Sequence, residues 1–168
     1  MASSALHQMM QQTLWGELDF LIVDLPPGTG DIHLTLSQKV KLVGAVIVTT
    51  PQDIALADVR KAIEMFGKVD VPIIGLIENM ATFVCNQCGC ETKIFGSGGG
   101  EKLASEYGLS LLGTLPLESP SSTEVNIEDP QQMLIRSDAI VREFDKIVDG
   151  VLDYANRSPA PDTEVVFE

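Results

Sequence analysis

Apolar positions in this chain fall into short, nearly continuous runs that alternate with longer periodic segments. Leu18-Asp19-Phe20-Leu21-Ile22-Val23-Asp24 and Ala45 to Thr50 are runs of the first kind, the form of strands buried on both faces within a parallel sheet. Between them the turn Pro26-Pro27-Gly28-Thr29-Gly30 leads into Asp31 to Lys41, which reads as a helix with Asp31 as its N-cap. Pro51-Gln52-Asp53 opens a second helix. Its apolar residues Leu56, Val59, Ile63 and Phe66 recur at helical spacing on one face, and Gly67 suits its C-terminal stop. Val71 to Glu78 predicts a third strand, a helix runs to Tyr107 with Gly108 as its terminator, and Leu111 to Leu115 predicts a fourth strand. Ile140, Phe144, Ile147 and Val151 mark an amphipathic helix from about Pro130 to Tyr154, and a short helix fits Ser3 to Leu14. Strands alternating with helices predict an α/β domain, a mostly parallel sheet flanked by helices. Residues 1–155 form one domain on this reading, and the Pro-, Asp- and Glu-rich residues 156–168 a disordered acidic tail.

Composition narrows the class. With 168 residues, 45% of them hydrophobic, the chain can bury one sizeable core. Its 11 basic and 24 acidic residues give a net charge of −13, which disfavours nucleic acid and anionic membrane surfaces as partners. No apolar run reaches the roughly 18–20 residues of a membrane span, and the N-terminus has no signal-peptide pattern, so a cytoplasmic protein is expected. All three cysteines lie between positions 85 and 90, an arrangement that suits metal or redox chemistry in a reducing compartment better than a disulfide framework.

Three segments carry candidate chemistry. An apolar strand ending in Asp24 has the form of a Walker B element, whose carboxylate serves Mg²⁺ at the carboxyl edge of a sheet, although Asp also begins ordinary turns. The residues that follow, Leu25 to Asp31, combine rigid prolines with Gly28 and Gly30, whose amides can approach a γ-phosphate as in a switch loop. Cys85-Asn86-Gln87-Cys88 is a CxxC pair in polar surroundings, and two thiolates at this spacing can share one metal or one cluster edge. Two sulfurs complete neither a tetrahedral zinc site nor a four-iron cluster. A zinc knuckle needs further ligands, and His7 and His33 are remote in sequence; a thioredoxin-like site expects CxxC to open a helix after an N-terminal strand. Cys90 reads as a bystander or a substitute for one of the pair. Gly96 to Leu103 imitates a Walker A loop, but Glu101 stands where the second glycine is needed and Leu103 replaces the hydroxyl, so a loop feeding a helix is the better reading.

The string Asp24-Leu25-Pro26-Pro27-Gly28-Thr29-Gly30-Asp31 resembles the switch region of the Mrp/ApbC-type iron–sulfur carrier ATPases, relatives of the MinD and ParA ATPases. TTPQ at 49–52, ENM at 78–80, the CxxC pair, FGSGGGEKLA at 95–104 and LLGTLPL at 111–117 follow in that family's order, so the resemblance covers roughly Leu14 to Leu117. It implies that Asp24 is catalytic through Mg²⁺, that Gly28, Thr29 and Gly30 face the γ-phosphate of ATP, and that Asn79 contacts the adenine. It also implies a homodimer in which Cys85 and Cys88 of each subunit share a cluster of the 4Fe-4S type, passed to apo iron–sulfur proteins with the help of assembly factors. The family's phosphate-binding loop, ending G-K-[ST], has no counterpart in the 168 residues. The expectation is therefore a partial P-loop NTPase fold with its first strand missing, inactive alone as an ATPase, with residues 18–24 and 45–50 left as unpaired strand edges. The segment from Glu118 to Ser122 also looks shorter than the family's loop. Two rivals stand beside the carrier: a non-enzymatic metal-binding or dimerisation fragment, and a MinD- or ParA-like positioning ATPase.

Overall fold

The computed structural model describes residues 8–10, 12–26, 28, 30–85, 87–118 and 138–158. Its elements in chain order are α1 (Asp31–Lys39), β1 (Ala45–Thr49), α2 (Asp53–Lys68), β2 (Ile73–Glu78), β3 (Phe83–Val84), β4 (Glu91–Thr92), α3 (Gly99–Tyr107), β5 (Leu111–Thr114), β6 (Leu117–Glu118) and α4 (Asp138–Arg157). The α/β architecture is as expected. β1, β2 and β5 form a parallel sheet in that order, with Val48 beside Ile77 and Glu78 beside Thr114. Parallel neighbours require crossover connections, and α2 and α3 supply them.

One face of the sheet is covered by α2 and α3. Leu56, Val59, Ile63 and Phe66 of α2 meet Ile47, Leu76, Leu103 and Ala104 in a single core cluster, with Leu34 of α1 packed at its margin. The other face carries α4. There Gly113 of β5 leaves room for Ile147, since a Cβ on Gly113 would stand 2.7 Å from Ile147 Cγ1. Burial of the α2 apolar stripe at roughly 1.5–3 kcal/mol per large side chain supplies the main attachment of that helix.

Several local expectations are corrected. Residues 18–24 form no strand. They run without sheet pairing, and Leu18, Phe20, Leu21 and Ile22 are exposed, Ile22 to 91%. A strand needs a partner for its amide ladder, and among the described residues β1 pairs only with β2, leaving its other edge open. β1 is likewise buried on one face alone: Ile47 and Thr49 are buried, whereas Val46 and Val48 on the opposite side are exposed, Val48 to 57%. Gly30, not Asp31, is the N-cap of α1. Gly67 lies inside α2, which ends at Lys68; Asp70 takes the left-handed turn at φ 55°, a conformation Asp tolerates better than most residues. Gly108 terminates α3 as expected, at φ 65°. The last helix continues through Asn156 and Arg157, three residues beyond Tyr154, and Ser158 N–H still bonds to Tyr154 O, so the expected tail boundary at 156 falls too early. Residues 159–168, the expected start of that helix at 130–137 and the loop at 119–122 lie outside the described residues.

Candidate functional site

The carboxyl ends of β1, β2 and β5 form one edge, and four of the sequence motifs meet there. Thr49 ends β1 with Thr50 and Pro51 next, Glu78 ends β2 with Asn79 next, and the loop to α3 closes over them. Backbone bonds tie the edge together: Asn79 N–H to Thr49 O at 2.7 Å, and Leu115 N–H to Glu78 O at 2.8 Å. Ligands in open parallel sheets bind at this edge.

Glu78 organises it. The side chain is 3% exposed, and its Oε2 accepts the N–H of Gly100 at 2.5 Å, at the first turn of α3. A buried carboxylate needs charge-matched donors, and a helix N-terminus provides them. Gly99 and Gly100 are explained by this packing. A Cβ on Gly100 would lie 3.0 Å from Glu78 Oε2, and one on Gly99 would lie 2.7 Å from Leu56 Cδ1. The Gly100 amide is thus taken internally, consistent with a loop that feeds a helix and not with a phosphate cradle. Nothing in the residue pattern alone singles out Glu78 except a carboxylate ending the apolar run Ile73 to Ile77, and that signal was available.

Asn79 is half-buried beside Glu78, and its Oδ1 accepts the N–H of Met80 at 2.9 Å, which holds Met80 at φ 57°. The side-chain nitrogen of Asn79 points its donors elsewhere by construction of the amide.

Past Met80 the chain enters a second, smaller sheet in the order β4-β3-β6. β3 and β4 pair antiparallel, Phe83 beside Thr92 and Val84 beside Glu91, so the cysteine loop is the tip of a hairpin. β6 fastens the hairpin to the main sheet: Ala81 N–H bonds to Leu115 O at 3.0 Å and Leu117 N–H to Thr82 O at 2.6 Å. Within the tip, Cys85 N–H bonds to Cys90 O at 3.0 Å and Gly89 N–H to Cys85 O at 2.8 Å, with Gly89 at φ 68° making the reversal. All three cysteines are free; Cys85 is half-buried, Cys88 and Cys90 are exposed. The Cys88 thiol is held below the usual thiol range, first by the Cys90 N–H donating to its sulfur and then by the side chains of Cys90 and Cys85. The backbone bond from Cys85 to Cys90 closes the tip and brings the two ends of the cysteine segment side by side, which CxxC spacing alone does not reveal. Among the described residues no three His, Cys, Asp or Glu side chains are arranged to hold one metal ion together.

The switch candidates stand apart from this assembly. Asp24 is exposed and lies in the unpaired segment after residue 18; Gly28 is exposed at φ 105° with open space where a Cβ would be, and Gly30 caps α1. Thr29 lies outside the described residues, as does His7; His33, read as an ordinary helix or surface residue, is in α1 but buried, with its Nδ1 unpartnered. Thr50 Oγ1, at the end of β1, is also buried without a hydrogen-bond partner. No helix among the described residues is long and apolar enough to cross a membrane.

An iron–sulfur cluster carrier protein of Escherichia coli strain K12 is 59% identical over 117 residues, 70% of this chain and 32% of that protein. One from Haemophilus influenzae is 46% identical over 151 residues, 90% of this chain and 41% of the relative, and the mouse iron–sulfur cluster transfer protein NUBPL is 52% identical over 117 residues, 37% of its length. The chain thus spans well under half of these relatives. Among solved structures, a nucleotide-binding protein of Archaeoglobus fulgidus in complex with ADP superposes with a TM-score of 0.60 at 32% identity, over 99% of this chain and 58% of that one. The fold is that of an α/β P-loop NTPase with a mostly parallel sheet. The family described as the NUBPL iron-transfer P-loop NTPase matches residues 1–152, and this chain belongs to it.

Proposed function

We propose that this chain is the cluster-bearing part of a cytoplasmic carrier that receives an iron–sulfur cluster as cargo and delivers it to apoproteins. The observation that carries this reading is the hairpin that presents Cys85 and Cys88 at the carboxyl edge of the sheet, braced by β6 and by the loop that Glu78 holds. Two thiols per chain suit one half of a cluster, so the cargo is a 4Fe-4S cluster shared by a homodimer, each subunit giving Cys85 and Cys88. Coupling to nucleotide belongs to the same reading. Asp24 serves Mg²⁺, Gly28, Thr29 and Gly30 face the γ-phosphate of ATP, and the amide nitrogen of Asn79 meets the adenine, so that nucleotide state at the sheet edge biases the hairpin through Met80 to Thr82. The names of the iron–sulfur carrier relatives and the ADP-bound structural neighbour support this reading.

Anaerobic loading with iron and sulfide tests it. A coloured dimer whose visible absorbance requires Cys85 and Cys88 is the expected product. A colourless protein, or a monomer that binds zinc tightly, would count against a carrier. A second reading, a metal-binding or dimerisation piece without motor activity, draws on the exposed Asp24 and on the lack of a G-K-[ST] loop in these 168 residues. Under it the cluster loads, yet ATP changes neither loading nor transfer.

A further inference from the structure

Cys90 is the residue that the CxxC reading leaves without a role, and the hairpin places it inside the thiol group. Its carbonyl accepts the Cys85 N–H across the tip at 3.0 Å, so its backbone is tied directly to one member of the pair. Its position in the sequence is equally telling: Cys88 and Cys90 are separated only by Gly89, whose left-handed φ of 68° folds one back toward the other. The three thiols are not equivalent. Cys85 is half-buried and anchored through both its N–H and its C=O, whereas Cys88 and Cys90 are both exposed at the rim.

We propose that Cys90 is an exchange ligand of the cargo site: Cys85 is the fixed thiolate, and Cys88 and Cys90 alternate at the second position as a cluster is received and released. This rests on the carrier reading and extends it to the act of transfer. In the exchange one iron–sulfur bond forms to Cys90 Sγ and one breaks to Cys88 Sγ, and the proton leaving the Cys90 thiol is taken up by the departing Cys88 thiolate. Charge and electron count are unchanged, and no oxidant or reductant is needed. A thiol tethered two residues away acts at a high effective concentration, which lowers the barrier to opening the site without letting the cluster fall free.

The test compares Cys→Ser variants of the 168-residue chain, loaded anaerobically with iron and sulfide, and reads visible absorbance and bound iron per chain. Cys85→Ser is expected to lose the cluster. Cys88→Ser should keep a reduced but measurable share because Cys90 steps in, and the double variant Cys88→Ser with Cys90→Ser should lose it. Cys90→Ser alone should load like the parent but hand its cluster to an apo-ferredoxin more slowly, by about tenfold if tethering supplies the exchange. Serine at an exposed hairpin tip leaves the core intact, and circular dichroism of each variant checks this. If Cys88→Ser binds no more iron than the double variant, or Cys90→Ser transfers at the parental rate, the inference falls while the carrier reading stands. If the parent chain itself takes up no cluster, both fall together.

Discussion

At Glu78 a single carboxylate joins β2 to the first turn of α3, and its burial makes the contact sensitive. Glu78→Ala removes the acceptor of the Gly100 N–H and leaves that donor buried, which should destabilise the fold by about 1–3 kcal/mol. Glu78→Gln keeps an acceptor oxygen at the same reach and should lose less. Urea unfolding of the two variants decides the matter; an alanine variant as stable as the parent would mean that the α3 terminus is satisfied in some other way. Features carried by local spacing were legible in sequence: the terminator Gly108 and the reading of Gly96 to Leu103 as a loop that feeds a helix both follow from neighbours in the chain. The contact of Glu78 with Gly100 was not, although the carboxylate itself stood out at the end of an apolar run, because it depends on a fold that brings together groups separated by 22 residues.

Among the elements, α4 and β5 fit through a missing side chain. Gly113 pairs with Ile77 in the sheet and faces Ile147 across it, so Gly113→Ala forces a methyl group to within 2.7 Å of Ile147 Cγ1. Overpacking of this kind costs about 1–3 kcal/mol, and shortening the opposing side chain with Ile147→Val should recover part of it in a double-mutant cycle. The joint between α2 and α3 is different in kind. Arg60 Nη2 bonds to Glu106 Oε2 at 2.7 Å and Nε to Oε1 at 3.4 Å, an exposed two-point pair whose contact holds the Glu106 carboxyl below the usual range. A depressed carboxyl contributes stability above its unfolded value and loses it as pH falls through the folded one. Solvent screening keeps that contribution small. Arg60→Ala should therefore move the Glu106 titration, followed by carbon-detected NMR, back up toward an ordinary glutamate, with little change in unfolding. The helices and the strands at 45–49, 73–78 and 111–114 were legible because periodicity is local. The strand expected at 18–24 was not, because a strand exists only with a neighbour, and hydrophobicity cannot say whether the neighbour is there.

For the whole molecule, one sheet edge gathers the TTPQ, ENM and FGSGGGEKLA segments and the cysteine hairpin, while the described part of residues 24–31 remains outside the sheet. That geometry bears on phosphoryl transfer, which is mostly positioning and charge stabilisation: backbone amides, a lysine and an Mg²⁺-binding hydroxyl normally surround the phosphates. The 168 residues contain no G-K-[ST] loop to supply them, the Gly100 amide is occupied by Glu78, and Asp24 is exposed on an unpaired segment. This chain by itself is accordingly expected to hydrolyse ATP no faster than buffer. A polypeptide carrying a phosphate loop on a strand, added in cis or as a separate chain, should pair with β1, bring residues 18–24 into the sheet on its far side and start hydrolysis. Phosphate release and amide hydrogen exchange read the two events separately: protection should appear across residues 18–24, and Asp24→Asn should abolish turnover while leaving that protection in place. Turnover by the purified 168-residue chain that Asp24→Asn removes would mean that these residues already build a phosphate site, and the division of labour between sheet edge and absent loop would have to be abandoned.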